Sequence, residues 1–189
     1  MFRLALFASG SGTNVQNICE YFHNHNSIKP EIVLSDKEDA YALERAKQLN
    51  VKSEHFNYIS TSSEELLAKI KYYKVTHIIL AGYLRLVPSK IIKIFKNKIL
   101  NIHPSLLPKF GGKGFYGQHV HKSVLESNEV ESGITIHLVN EKYDEGKILF
   151  QKSTPIFDND DIESLSSRIH NLEYKYYPQI IEKYLLNQL

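Results

Sequence analysis

The segment from Asn101 to Pro108 contains the two side chains best suited to chemistry. A short apolar run precedes it, and an extended backbone would place Asn101 and His103 on the same side, because they are two positions apart. Pro104 and Pro108 disfavour a helix in the residues that follow. An amide donor beside a titratable imidazole at the end of a strand is suited to stabilising an oxyanion and moving a proton. A polar strand end that leads into a proline-rich turn would show the same residues.

A glycine-serine loop follows the first apolar run of the chain. Gly10 and Gly12 allow a tight turn, and Thr13 and Asn14 open a helical pattern with side-chain donors. Free amides at a helix start favour an anion. The pattern lacks the third glycine of a dinucleotide site and the lysine of a P-loop, so it favours a small phosphate monoester. A glycine-rich turn with a helix cap is the alternative.

Two further loops follow apolar runs. After the fourth run, Gly82 permits close backbone approach, and the residues from Tyr83 to Val87 could line a pocket for a flat, partly apolar ligand. A buried strand that leads into a helix started by proline would look the same. Between the last two runs, Asp144 lies in an acidic turn. We expect its carboxylate to reach His103 and raise the pKa of the imidazole, although such a loop can be a turn alone.

Three other histidines could suggest a metal site. His119 and His121 are two positions apart in a helical pattern, so their side chains would diverge. His137 lies in the next apolar run, and no acidic or cysteine ligand stands nearby at zinc spacing. We therefore expect no metal site, and roles in the core or in hydrogen bonding for these imidazoles.

Composition limits the classes of protein to which the chain can belong. It has 189 residues, 42% hydrophobic and 23% charged, with a formal net charge of +2. This balance does not indicate a nucleic-acid or membrane surface, and no stretch resembles a leader or a membrane span. Cys19 is the single cysteine, so no intrachain disulfide can form. We expect one cytoplasmic domain over residues 1–189.

Strand-like and helical patterns alternate along the chain and would position these loops. The strands are predicted at Arg3–Phe7, Glu31–Leu34, Lys52–Phe56, His77–Leu80, Ile99–Ile102, Ile134–Val139 and Ile148–Lys152. The helices are predicted near Asn14–Phe22, Ala40–Leu49, Glu64–Tyr73, Pro88–Phe95, Gln118–Glu126 and Asp161–Leu186, the last kinked or broken at Pro178. This alternation predicts an α/β fold: a mostly parallel, twisted sheet of about seven strands with helices on both faces. No helical pattern separates the last two strands, so an antiparallel edge is expected there. Ligands then belong beyond the carboxyl ends of the strands.

Together these segments resemble the phosphoribosylglycinamide formyltransferases, from Leu4 to about Leu186. The motifs that carry the resemblance are Ser9–Asn14, Ala81–Arg85, Asn101–Pro108 and Asp144–Gly146. The resemblance implies a Rossmann-like formyltransferase fold and formyl transfer from 10-formyltetrahydrofolate, a co-substrate, to the amine of glycinamide ribonucleotide. It implies an amino-terminal half that binds the ribonucleotide phosphate and a carboxyl-terminal half with folate-binding and catalytic loops. No metal or covalent intermediate is required.

The resemblance also assigns roles to residues. It implies that Asn101, His103 and Asp144 are catalytic, with protonated His103 and Asn101 stabilising the oxyanion. The implied contacts to the ribonucleotide are Gly12, Thr13, Asn14, His170, Asn171, Leu172 and Glu173. The implied folate contacts are Leu84, Arg85, Leu86, Val87, Asn101, Asn140, Glu141, Lys142, Tyr143 and Asp144. The expected partners are these small molecules, with no nucleic acid or membrane, for a monomer or weak homodimer.

Two segments depart from the family pattern. The residues from Ile59 to Ser63 include no basic residue to meet the folate tail, and the loop from Lys109 to Gly117 is long and rich in glycine. Two rival functions stay open. One is a formyltransferase that acts on another phosphorylated or sugar-nucleotide amine. The other is a non-catalytic module that binds a phosphoribosyl group or a folate.

Overall fold

The computed structural model describes residues 1–189, and in it strands and helices alternate along most of the chain. The strands are β1 (Phe2–Ala8), β2 (Ile28–Ser35), β3 (Lys52–His55), β4 (His77–Leu80), β5 (Ile99–His103), β6 (Glu131–Leu138) and β7 (Ile148–Pro155). The helices are α1 (Thr13–Tyr21), α2 (Tyr41–Gln48), α3 (Ser63–Tyr72), α4 (Ser89–Ile94), α5 (Gln118–Glu126) and α6 (Ile162–Leu185). The predicted order of elements is confirmed, and β6 and β7 extend further than predicted.

The strands form a seven-stranded sheet in the order β3-β2-β1-β4-β5-β6-β7. Strand β1 pairs in parallel with β2 and with β4, and β2 pairs in parallel with β3. Strands β6 and β7 pair antiparallel, with Thr135 opposite Gln151. The predicted parallel sheet with an antiparallel carboxyl-terminal edge is therefore confirmed. By its internal contacts the chain divides into two compact units, Met1–Leu100 and Asn101–Leu189.

In the first unit, β1 is the central strand of a parallel sheet. Its residues from Leu4 to Ala8 are fully buried, as expected of a strand covered on both faces. Helix α1 buries Val15 and Ile18, which are three positions apart on one helix face, and it packs against α2. Thr61 and Ser62 each precede a glutamate by three positions, so either could form a capping box at the start of α3. The structure forms the one between Ser62 and Glu65.

In the second unit, the long helix α6 packs on β6 and on α5. Asp161 and Ser164 form a capping box at its start. The predicted break at Pro178 does not occur, since α6 continues to Leu185. Pro178 cannot donate a backbone hydrogen bond, but its ring is buried in the run that also buries Tyr177, and this packing offsets the loss. No helix of the chain has the length and hydropathy that crossing a bilayer requires.

Candidate active site

Three side chains of the second unit meet where the sequence analysis expected them to meet. Asn101 and His103 lie on β5, and Asp144 lies in the turn between β6 and β7. His103 Nδ1 is 3.5 Å from Asp144 Oδ2, and Asn101 Nδ2 is 3.5 Å from Asp144 Oδ1. The imidazole is buried, with His103 only 4% exposed. An amide, an imidazole and a carboxylate thus share one largely dehydrated site.

The backbone fixes the orientation of the His103 ring. Its Nε2 lies 2.7 Å from the carbonyl oxygen of Phe110. A carbonyl can only accept, so Nε2 carries a hydrogen and donates. In the neutral imidazole Nδ1 then has the free lone pair, and this nitrogen is the one that faces Asp144. His103 is therefore set to accept a proton at Nδ1.

The pKa of His103 is set by two opposing effects. Burial lowers its pKa below the usual 6.5, although the Asp144 carboxylate and the Phe110 carbonyl both raise it. Asp144 thus acts in the expected direction, but the cost of burying an imidazolium is larger, so the pKa of His103 is lowered overall. Burial alone would raise the pKa of Asp144, but the neighbouring imidazoles of His137 and His103 and the hydrogen bond from the Gly112 N–H lower it overall.

The glycine-rich loop after β5 approaches the site closely. The Gly112 N–H donates to Asp144 Oδ2 at 2.9 Å. A Cβ atom at Gly111 would stand 2.4 Å from Leu107 Cδ2 and 3.3 Å from Asp144 Cβ, so only glycine fits without displacement. Asp144 itself has a φ of 56°, a left-handed conformation that aspartate tolerates better than most residues. This loop and the turn thus position the carboxylate together.

His137 is a member of the site that the predicted set omitted. Its Nδ1 donates to the Leu138 carbonyl at 2.9 Å, so its Nε2 accepts from Asn101 Nδ2 at 3.1 Å. His137 therefore orients the Asn101 amide, as the expected hydrogen-bonding role suggests. The sequence did indicate which way the His137 side chain points, because Thr135 and His137 are two positions apart on β6 and share one face of the strand.

The two histidines of α5 diverge as expected. His119 is exposed and His121 is buried. Burial, followed by the charges of His170 and His103, lowers the pKa of His121 to about 4. His121 is therefore a neutral side chain at physiological pH.

Thr135 fixes the proline-rich segment that follows His103. Its Oγ1 accepts from the Leu107 N–H at 3.0 Å and donates to the Ser105 carbonyl at 2.7 Å. Gln151, opposite Thr135 on β7, donates to the Leu107 carbonyl at 2.9 Å. The sequence analysis missed both residues, because neither has a spacing that relates it to His103.

In the first unit, the predicted phosphate loop connects β1 to α1. Gly12 has a φ of +76°, and a Cβ there would come within 2.4 Å of Ala42 Cα, so glycine is required. Helix α1 begins at Thr13 without a side-chain cap, and the positive end of its dipole favours an anion there. Arg45 donates from Nε to the Ser11 carbonyl at 2.9 Å and adds positive charge to this loop. These features suit a phosphate monoester.

The loop after β4 divides its side chains between core and surface. Tyr83 and Val87 are buried, whereas Leu84, Arg85 and Leu86 are exposed. Of the four predicted folate contacts in this loop, the side chain of Val87 therefore packs inside the unit. The other three present apolar surface and one guanidinium, which suits a flat, partly apolar ligand with an anionic group.

The remaining predicted contacts lie in the second unit. Asn140 accepts from the Lys142 N–H at 2.9 Å and donates to the Glu145 carbonyl at 3.1 Å, which shapes the turn that presents Asp144. The exposed members of these predicted contacts are Glu141, Lys142, His170 and Asn171, while Tyr143 and Leu172 are half-buried. On α6, Glu173 is buried, and the His170 ring stacks on Tyr174 with centroids 6.0 Å apart.

Comparisons with known proteins agree with this geometry. The profile of the family described as "Formyl transferase" matches residues 2–181. The chain is 40% identical to a chloroplastic phosphoribosylglycinamide formyltransferase of Arabidopsis thaliana, over 95% of this chain and 64% of that protein. It is 37% identical to the phosphoribosylglycinamide formyltransferase of Haemophilus influenzae, over 96% of this chain and 86% of that protein.

A solved structure gives the same result. The crystal structure of a phosphoribosylglycinamide formyltransferase from Streptococcus pneumoniae superimposes with a TM-score of 0.86 at 34% identity, covering 98% of this chain and 99% of that one. The chain spans less than two thirds of the length of the plant relative but nearly all of this bacterial structure.

Proposed function

This chain belongs to the formyl transferase family, and on that basis we propose that it formylates glycinamide ribonucleotide. The formyl group would pass from 10-formyltetrahydrofolate to the amine of N1-(5-phospho-D-ribosyl)glycinamide, giving the N-formyl product and tetrahydrofolate in de novo purine biosynthesis. The phosphoribosylglycinamide formyltransferase of Haemophilus influenzae, 37% identical over most of both chains, supports this pair of substrates. The observation that carries the chemistry is the buried imidazole of His103, with Nδ1 3.5 Å from Asp144 Oδ2.

The transfer begins when the uncharged amine of the ribonucleotide attacks the formyl carbon. A nitrogen–carbon bond forms, and the π electrons of the formyl group move to its oxygen. His103 Nδ1 accepts the proton that the amine loses, and the imidazolium then lies beside the oxyanion. Asp144 stabilises the imidazolium by charge, and Nε2–H stays bonded to the Phe110 carbonyl.

The second step returns the proton. His103 donates it to the departing folate nitrogen, whose bond to the formyl carbon breaks as the oxyanion reforms the carbonyl. In this scheme His103 starts neutral and becomes charged only when the oxyanion is present. A pKa lowered by burial suits this cycle, because a permanent imidazolium could not accept the proton of the amine.

We propose that Asn101 stabilises the oxyanion. Its amide hydrogens point to His137 Nε2 at 3.1 Å and to Asp144 Oδ1 at 3.5 Å, and the second of these bonds is at the limit of a hydrogen bond. The hydrogen on the Asp144 side is therefore weakly held and would be shared with a formyl oxygen that comes within reach. One such donor typically contributes about 3 kcal/mol to lowering the barrier.

Substrate binding is proposed from the remaining loops. The start of α1, with Gly12, Thr13 and Asn14, would bind the phosphate, and Glu173 would accept from ribose hydroxyls. The loop from Leu84 to Val87 and the turn from Asn140 to Asp144 would bind the folate. We further infer that the protein is cytoplasmic, and the free, buried thiol of Cys19 is compatible with that reducing compartment. We also infer that it is a monomer or a weak homodimer.

The assay that tests this function mixes the purified protein with 10-formyltetrahydrofolate and glycinamide ribonucleotide and follows the absorbance of the deformylated folate. We expect product only when both substrates are present. Product without the ribonucleotide would indicate hydrolysis, and no product with it would reject the proposal. His103→Ala should lower kcat by about 10²–10³ and leave folate affinity unchanged by calorimetry. A wild-type protein that binds both molecules without turnover would instead be a binding module.

A further inference from the structure

The first unit contains a buried carboxylate that no predicted role explains. Asp36 directly follows β2, and its side chain is only 1% exposed. A carboxylate this deeply buried is costly unless its oxygens are paired. The partners of Asp36 therefore indicate what the residue does.

The two oxygens of Asp36 hold two neighbouring residues of the loop after β4, one oxygen for each residue. Oδ1 accepts from the Ser9 hydroxyl at 2.5 Å, and the oxygen of that hydroxyl accepts from the Leu84 N–H at 3.0 Å. Oδ2 accepts from Arg85 Nε at 3.1 Å. One carboxylate thus fixes the backbone of Leu84 through Ser9 and the side chain of Arg85 directly.

A second contact holds the guanidinium of Arg85 from another side. Its carbon lies 5.3 Å from the centre of the Tyr58 ring. Only Nε is bonded to Asp36, and Arg85 is about half exposed. The two terminal NH₂ groups therefore stay available at the surface beside Leu84 and Leu86. Such a pre-oriented fork suits a carboxylate of a ligand.

We infer that Asp36 is a positioning residue that sets affinity for the formyl donor by fixing Leu84 and Arg85. This inference rests on the proposed function, since the loop after β4 is the proposed folate site of the first unit. Asp36 acts only through Ser9 and Arg85 and touches no reacting atom. Its loss weakens donor binding and leaves the chemical step unchanged.

Two substitutions separate the two arms of this contact. Asp36→Asn keeps an oxygen for Ser9 and removes the charge that pairs with Arg85. Ser9→Ala keeps that ion pair and removes the anchor of the Leu84 N–H. We expect each to raise the KM for 10-formyltetrahydrofolate about tenfold, with kcat and the KM for the ribonucleotide within about twofold of wild type. A general loss of folding would change all three parameters.

Glu31→Gln is the matched control, because Glu31 lies on the same strand β2 and also pairs with an arginine, Arg3, at 2.9 Å. Its donor KM should equal that of wild type. The double variant Asp36→Asn with Arg85→Met should have the donor KM of Arg85→Met alone, because Asp36→Asn acts through that guanidinium. Additive effects, a fall in kcat, or unchanged donor KM values for Asp36→Asn and Ser9→Ala would overturn the inference.

Calorimetry with folic acid separates this inference from the proposed function. If wild type shows no formyl transfer but binds folic acid, the proposed function fails. The inference then stands if Asp36→Asn and Ser9→Ala weaken folic acid binding, and it falls if they do not. If wild type transfers formyl groups and both variants match it in donor KM and folic acid affinity, only the inference fails. Absence of folic acid binding by wild type would overturn the inference outright.

Discussion

At the scale of single residues, the candidate site separates two functions of one imidazole. Nε2 of His103 donates to the backbone at Phe110, which fixes the ring, and Nδ1 faces the carboxylate that would stabilise its charged form. The pKa of His103 is lowered by burial against the opposing effect of Asp144. In the proposed cycle the imidazole is a base that becomes an acid only after a proton reaches it.

Removal of the Asp144 charge should weaken this base. In Asp144→Asn, the carboxylate that raises the pKa of His103 is lost, so this pKa falls further below 6.5. We expect kcat to fall by about 10²-fold, because the imidazolium loses the nearby negative charge that stabilises it. The base must be deprotonated to act, so kcat/KM rises as pH increases through the pKa of His103. In the variant this rise should occur at lower pH.

Steady-state rates between pH 4 and 8 measure both effects. Glu126→Gln is the control, because this exposed carboxylate of α5 contacts only Lys122 at 3.7 Å. Its rate and profile should match wild type. An Asp144→Asn profile that moves to higher pH would contradict the assigned role of Asp144.

At the scale of elements, the start of α3 shows how a cap selects the first residue of a helix. Thr61 and Ser62 each precede a glutamate by three positions, so the sequence offered two equivalent boxes. The structure uses Ser62, whose hydroxyl accepts from the Glu65 N–H at 3.2 Å while Glu65 accepts from the Ser62 N–H at 2.7 Å. The side chain of Glu64 turns instead to Lys90.

Substitution of the two candidate caps should give unequal results. Ser62→Ala should lower the free energy of unfolding by about 1 kcal/mol, because an amide at the start of α3 loses its acceptor. Thr61→Ala, the matched neighbour, should change it by less than about 0.5 kcal/mol. Urea unfolding followed by circular dichroism measures both variants. Equal effects would mean that the cap does not determine where the helix begins.

The elements were largely predictable from the sequence, and the contacts within the site were only partly so. Periodicity is a local property, which explains why β4 and α5 begin and end where the sequence indicated. The meeting of His103 with Asp144 followed from the resemblance and from strand ends that share one edge. The net pKa of His103 did not follow, because it depends on burial, and burial is set by the whole fold. Likewise, nothing local in the sequence relates Asp36 to Arg85.

At the scale of the whole molecule, buried neutral histidines make stability depend on pH. Burial lowers the pKa of His77, in the first unit, to about 4, with Lys98 acting in the same direction. His121, in the second unit, also has a pKa of about 4. In the unfolded chain both would titrate near 6.5, so below that pH the unfolded state binds more protons than the folded state.

The free energy of unfolding should therefore be at its full value above pH 6.5 and fall as the pH decreases toward 4. His121 alone should contribute a loss of about 3 kcal/mol by pH 4. Chemical denaturation at a series of pH values gives this slope, and His121→Gln should reduce it because glutamine does not titrate. An unchanged slope in that variant would show that the pKa of His121 is the same in the folded and unfolded states.

The bond from His103 to the main chain at position 110 has a consequence for how such a protein changes over generations. An acceptor that belongs to the peptide group is encoded by no particular codon, so a substitution of Phe110 that keeps its left-handed φ of 53° does not remove it. Selection on the ring orientation therefore falls on the path of the chain, and above all on Gly111, where a methyl group has no room. Lineages can differ at position 110 and still inherit the same imidazole geometry.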